Sequence, residues 1–261
     1  MERRRFNLCL LGAGLCSLCS ASLWARESPD LFNARTQNAV IHLLFGDIQP
    51  IESDSVHLEL PYQVQAGQRV SASVSYSGHD AQVIALITTG NTHPLSTYIN
   101  LSGAGGFYST LLRVSRSSQV TAYVKTADAL YATTTHIKVS QGGYGAFTGP
   151  EEAVSERAPQ SEIKTKLRIR RDDRNTSVQA LVTHPMLAGD AQAGDSQAGH
   201  FIARVRFSLN DEQVAEAHLG PDVASQPITG IQLPRANPGD RVAVEWTDNV
   251  GISGHAESPV Y

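Results

Sequence analysis

The sequence predicts an all-β protein built from two β-sandwich domains joined by a polar linker. Three observations carry that expectation. Apolar residues recur at every second position in run after run, the period of a strand with one buried face. Clusters of Gly, Asn, Asp and Ser stand between the runs and supply turns. A chain of 261 residues, 41% hydrophobic and 18% charged, can fill two cores of ordinary domain size and is too apolar to be disordered throughout.

Residues 1–25 read as a secretory signal. Arg3-Arg4-Arg5 is a positive start, residues 6–18 are a short apolar run, and Ser22-Leu23-Trp24-Ala25 offers a small residue at the cut. Ala21 and Ser22 are alternative cut positions. The apolar run is too short and glycine-rich to span a bilayer comfortably. Cys9, Cys16 and Cys19 all fall in this leader, so the exported chain holds no cysteine. Disulfides, thiolate metal sites and cysteine nucleophiles are thereby excluded. Removing the leader takes three arginines and one glutamate, leaving 18 basic and 24 acidic residues, a net charge of about −6 that disfavours nucleic acid as a partner. No membrane insertion is expected once the leader is gone.

The first domain is expected over residues 26–147. A short helix is expected at 31–44. Val56, Leu58 and Leu60 then share one strand face, and Val70, Ala72, Val74 and Tyr76 another. Residues 82–89 form a continuous apolar run, as a strand covered on both sides would. Val120, Ala122 and Val124 alternate again, followed by Tyr131, Thr133, Thr135, Ile137 and Val139.

Residues 148–162 hold two prolines and four glutamates with almost no bulky apolar side chain, the composition of an exposed linker. The second domain is expected over 163–261. Its strand faces are Thr165, Leu167, Ile169; Val178, Ala180, Val182; Phe201, Ala203, Val205, Phe207; and Val242, Val244, Trp246. Residues 187–199 are small and polar and read as a loop.

The chemistry-bearing residues point away from an enzyme. His184-Pro185-Met186 with His200 raises copper, since imidazole and thioether both bind it. A blue-copper centre needs a thiolate, however, and Met186 is the only methionine after the leader. A His-Pro pair is also natural where a strand stops. No metal and no cofactor are expected. No Gly-x-Ser-x-Gly elbow appears, and Gly142-Gly143-Tyr144-Gly145 lacks the lysine of a phosphate loop. Asp248-Asn249-Val250-Gly251 reads as an ordinary turn.

Leu44-Phe45-Gly46-Asp47, Leu60-Pro61, Ala66-Gly67-Gln68-Arg69-Val70 and His136-Ile137-Lys138-Val139-Ser140-Gln141-Gly142-Gly143 resemble SoxY, a subunit of the sulfur-oxidation carrier. Leu167-Arg168-Ile169-Arg170, His184-Pro185-Met186, Gly220-Pro221, and Gly239-Asp240 leading to Trp246-Thr247-Asp248-Asn249-Val250-Gly251 are similar to SoxZ. Together the chain looks like the fused SoxYZ-like carriers associated with quinoprotein dehydrogenases. The resemblance implies two immunoglobulin-like sandwiches that pair within the chain, a periplasmic location and a carrier rather than an enzyme. Its partners would be a periplasmic dehydrogenase or sulfur-oxidation enzymes. In the family a Gly-Gly-Cys-Gly-Gly tail holds sulfur intermediates on its cysteine. The matching arm here is Gly142, Gly143, Tyr144, Gly145, with tyrosine in the thiol's place. A phenol with a pKa of about 10 is a poor nucleophile at neutral pH and forms no persulfide. An adaptor lacking the sulfur-binding cysteine is therefore expected. A working sulfur carrier and a partner-binding sandwich without cargo stand as alternatives.

Overall fold

The period-two runs fold as strands in the computed structural model, which describes residues 29–66, 68–140, 163–172, 175–184, 200–223 and 227–261. The leader, the linker at 148–162 and the loop at 187–199 lie outside the described residues. Two helices stand where one was expected, α1 (Pro29–Asn33) and α2 (Gln37–Phe45). Thr36 separates them in an extended conformation, and its Oγ1 accepts a hydrogen bond from the Ala39 N–H at 3.2 Å, an N-cap that starts a new helix. No described helix is long and apolar enough to cross a membrane.

The first domain contributes β1 (Pro50–Glu52), β2 (Val56–Glu59), β3 (Gln63–Gln65), β4 (Arg69–Tyr76), β5 (Val83–Thr88), β6 (Leu95–Leu101), β7 (Phe107–Arg113), β8 (Ser118–Lys125) and β9 (Leu130–Ser140). The second contributes β10 (Lys164–Arg171), β11 (Thr176–Thr183), β12 (Ile202–Leu209), β13 (Glu212–Leu219), β14 (Ile228–Leu233), β15 (Arg241–Asp248) and β16 (Ser253–Pro259). They form two sheets. One runs β1-β9-β8-β5-β6-β13-β12-β15-β16, with β3 also on β9; the other runs β10-β11-β14-β7-β4-β2. The protein is thus two immunoglobulin-like sandwiches whose sheets are continuous with one another.

Local sequence explains the layering. Val70, Ala72 and Val74 of β4 and Val120, Ala122 and Val124 of β8 are all buried in the inter-sheet core. The continuous run in β5 is covered on both faces: Ile84 and Leu86 join that core, while Ala85 and Ile87 meet Val40 and Phe45 of α2. In β12 the expected parity shifts. A register irregularity against β15 between Ile202 and Arg204 buries Ile202 instead of Phe201 and Ala203, after which Val205 and Phe207 face inward as expected. A β-bulge reverses the inward face in this way because side chains alternate with period two.

The domains join by strand edges, and one apolar core runs through both. β13 pairs antiparallel with β6, from Ala215 opposite Leu101 to Leu219 opposite Thr97. β14 pairs with β7, Ile231 opposite Tyr108 and Gly230 opposite Ser109. Each domain alone would leave these edges with unpaired backbone groups, and each satisfies the other's. Side chains close the seam: buried Thr97 shares a 2.8 Å hydrogen bond with the Tyr108 hydroxyl and donates to the His218 carbonyl at 2.8 Å. Burial pushes the Tyr108 phenol up to about 12.

A carboxylate is buried beside this seam. Glu216 on β13 meets His218 Nε2 at 3.2 Å and accepts from Arg206 Nε at 3.0 Å. The His218 hydrogen bond, with Arg206 adding to it, overcomes burial and holds its pKa at about 2, from a normal 4.5. A folded pKa depressed this way stabilises the protein above the unfolded value, and the gain is lost as pH falls from about 4.5 towards 2. The shift corresponds to about 3 kcal/mol. The urea midpoint of the native protein should therefore drop more steeply between pH 5 and 2.5 than that of Glu216→Gln. Parallel pH profiles would remove the carboxylate from the ledger of stability.

Candidate functional site

The arm residues Gly142, Gly143, Tyr144 and Gly145 lie outside the described residues. Their root is described. β9 alternates along its length and is held by β8 on one edge. On the other edge β1 takes its start and β3 its end, both parallel. Val64 and Gln65 of β3 stand opposite Val139 and Ser140. Ser140 Oγ donates to the Val64 carbonyl at 3.1 Å, and the Ala66 N–H donates to the Ser140 carbonyl at 3.2 Å. Ser117 Oγ accepts from the Val139 N–H at 2.9 Å. Ser140, the last described residue before the arm, thus ends a strand clamped on both edges. Beside this strand end lies a shallow cavity of about 470 Å³, bordered by Tyr62, Ser117, Gln119, His136, Ile137 and Lys138.

A second constellation appears in the other domain. β11 ends at Thr183 and places His184 inward; β15 ends at Asp248; His200 stands two residues before β12. His184 Nε2 lies 3.2 Å and His200 Nε2 2.6 Å from the same oxygen, Asp248 Oδ2. The His184 and Asp248 side chains are wholly buried, and His200 is 24% exposed. The turn after β15 fixes the aspartate from the other side. Asp248 Oδ1 accepts from the Val250 N–H at 3.0 Å and the Ile252 N–H at 2.7 Å. Gly251 has φ +96°, a left-handed conformation that glycine adopts without penalty. Asn249 ties the His200 segment to this turn: its N–H donates to the Phe201 carbonyl at 3.0 Å and its Oδ1 accepts from the Phe201 N–H at 3.0 Å.

Trp246 packs edge-on to His184, with ring centroids 5.5 Å apart, and donates from Nε1 to Thr165 Oγ1 at 2.7 Å. Gly254 faces the indole, where a Cβ would lie 2.6 Å from a ring carbon. Burial lowers the His184 pKa, partly offset by Asp248. Burial acts to raise the Asp248 pKa, but His200, the Ile252 and Val250 N–H groups and His184 outweigh it and hold the carboxyl below its usual range.

These residues correct two sequence expectations. Asp248-Asn249-Val250-Gly251 does form a turn, but its aspartate also receives two imidazoles. His184 does stand where a strand stops, but its ring turns into the protein. With no metal expected, the structure instead places two histidines and a carboxylate together, the one such group of three that could ligate a metal among the described residues. Met186 lies outside those residues.

Residues 41–143 match the family model described as sulfur oxidation protein SoxY, and residues 163–259 match that of sulphur oxidation protein SoxZ. No curated protein matches the chain. Among solved structures, the sulfur carrier protein SoxY from Chlorobium limicola f thiosulfatophilum is 22% identical, with a TM-score of 0.38, over 40% of this chain and 94% of that one. A superoxide reductase (neelaredoxin) from Ignicoccus hospitalis is 19% identical, with a TM-score of 0.30, over 33% of this chain and 80% of that one.

Proposed function

Because the chain belongs to the SoxY/SoxZ family of sulfur-oxidation carrier proteins, with a SoxY-like and a SoxZ-like domain in one polypeptide, we propose that it is an exported, non-enzymatic adaptor that has kept the carrier's architecture and lost its covalent chemistry. It serves a periplasmic quinoprotein dehydrogenase or sulfur-oxidation system through reversible contact. The observation that carries this reading is the position of the cysteines: Cys9, Cys16 and Cys19 all fall in a leader-like segment, and none follows in the remaining sequence. Tyr144 stands in the glycine-rich stretch where the resemblance puts the carrier thiol. A phenol there offers a ring and a hydroxyl for docking, but no route to a persulfide.

Two features support an adaptor. The strand edges of the two domains satisfy each other, so the fused chain presents one continuous platform. The arm's root is clamped on both edges, which fixes the point where the glycine-rich stretch begins. Replacing Tyr144 with alanine should weaken binding to the dehydrogenase by about tenfold, the cost of about 1.4 kcal/mol for an aromatic anchor, and leave thermal unfolding unchanged. Isothermal titration with the purified dehydrogenase reads this directly. Equal affinity for the native and Tyr144→Ala proteins would take the arm out of the interface.

A further inference from the structure

We propose that His184, His200 and Asp248 bind one borderline divalent transition-metal ion of the Zn²⁺ class. Three donors from separated parts of the chain converge: both Nε2 atoms approach a single oxygen, Asp248 Oδ2, at 3.2 and 2.6 Å, and the ligand atoms all lie within 4.8 Å of one another. A tetrahedral ion with bonds of about 2.0–2.2 Å holds its ligand atoms about 3.3–3.6 Å apart. Side-chain shifts on the order of an ångström would open the 2.6 Å edge and draw the two imidazole nitrogens to that spacing.

The surroundings are those of a built site. Asp248 Oδ1 is occupied by the Val250 and Ile252 N–H groups, which orient the carboxylate and leave Oδ2 for the ion, as outer partners do around protein-bound metals. The paired hydrogen bonds between Asn249 and Phe201 hold the backbone next to His200. His184 and Asp248 are fully buried, while His200 is partly exposed. Two imidazoles and one carboxylate select a borderline ion over Mg²⁺ or Ca²⁺, which take oxygen ligands. Three protein ligands are also the number found in zinc sites that complete their coordination with water.

The test uses the full mature protein, stripped with chelator and titrated with Zn²⁺ by calorimetry, alongside His200→Ala and, as a control for surface histidines, His57→Ala. The native protein and His57→Ala should each bind one equivalent with a Kd on the order of 1 µM or tighter. His200→Ala should bind at least tenfold more weakly, and excess Mg²⁺ should not compete. Titration of the native protein with Co²⁺ should give the intense visible bands of a tetrahedral site, abolished by Zn²⁺, and this readout does not depend on any variant folding. Equal Zn²⁺ affinity for native and His200→Ala, or only the faint spectrum of hydrated Co²⁺, would overturn the site.

Discussion

Replacing Trp246 with alanine is expected to cost about 3–5 kcal/mol, the range for emptying a large aromatic site in a packed core. Trp246 is 1% exposed and is the largest of the fully buried side chains among the described residues. The pocket cannot collapse easily around the gap. β15 is held between β16, paired from Arg241 to Thr247, and β12, paired without interruption from Val242 to Thr247, so the backbone walls are fixed. The deletion also leaves Thr165 Oγ1 without the indole donor and removes the edge-on wall of His184. At about 2–4 °C per kcal/mol for a protein of this size, the melting temperature should fall by roughly 6–20 °C. Trp246→Phe keeps most of the ring volume and should recover more than half of that loss. A drop of under 2 °C for the alanine variant would mean that the indole is not a keystone of the second domain.

Separating the two domains should have an effect of comparable size. Residues 26–147 produced alone would expose the edges of β6 and β7, and residues 163–261 alone those of β13 and β14. Along the β6–β13 seam five residue pairs face each other, from Leu101 and Ala215 to Thr97 and Leu219. On the same seam Tyr98 stacks on His218, with ring centroids 4.5 Å apart and planes at 7°. Open, partly apolar edges of this kind pair with whatever strand is available. Each half should therefore self-associate when alone, and a mixture should settle into a one-to-one complex with the intact protein's thermal transition. Size-exclusion chromatography with light scattering distinguishes the outcomes. Two soluble monomers that ignore each other would show that the seam contributes little.

How far the sequence discloses this fold depends on which side chains face the core. Strands β2, β4, β11 and β15 bury one apolar face and alternate cleanly. The strands that build the seam do not. β6 buries Ser96 and Thr97, satisfied by the Thr88 and Tyr108 hydroxyls, so its polar residues mask its burial. β13 reads EQVAEAHL, a composition rich in helix formers, and its Glu216 and His218 are buried because they pair with each other and with Arg206. β16, reading SGHAESP, has no bulky apolar residue and is fixed by its pairing to β15. The candidate metal site was hidden for a related reason. His184 and His200 lie 64 and 48 residues from Asp248, and only the end-to-end alignment of β11, β12 and β15 brings them together. Their family motifs were visible, but the geometry that links one to the other was not.

The central claim, that this fused protein works without a covalent cargo, is tested most directly by intact mass spectrometry. The mature protein would be incubated with thiosulfate or sulfide and an oxidant, beside Tyr144→Cys, which returns a thiol to the arm. The native chain should keep its unmodified mass while the cysteine variant gains sulfur. A sulfur adduct on the native protein, formed with no thiol after position 19, would contradict the account.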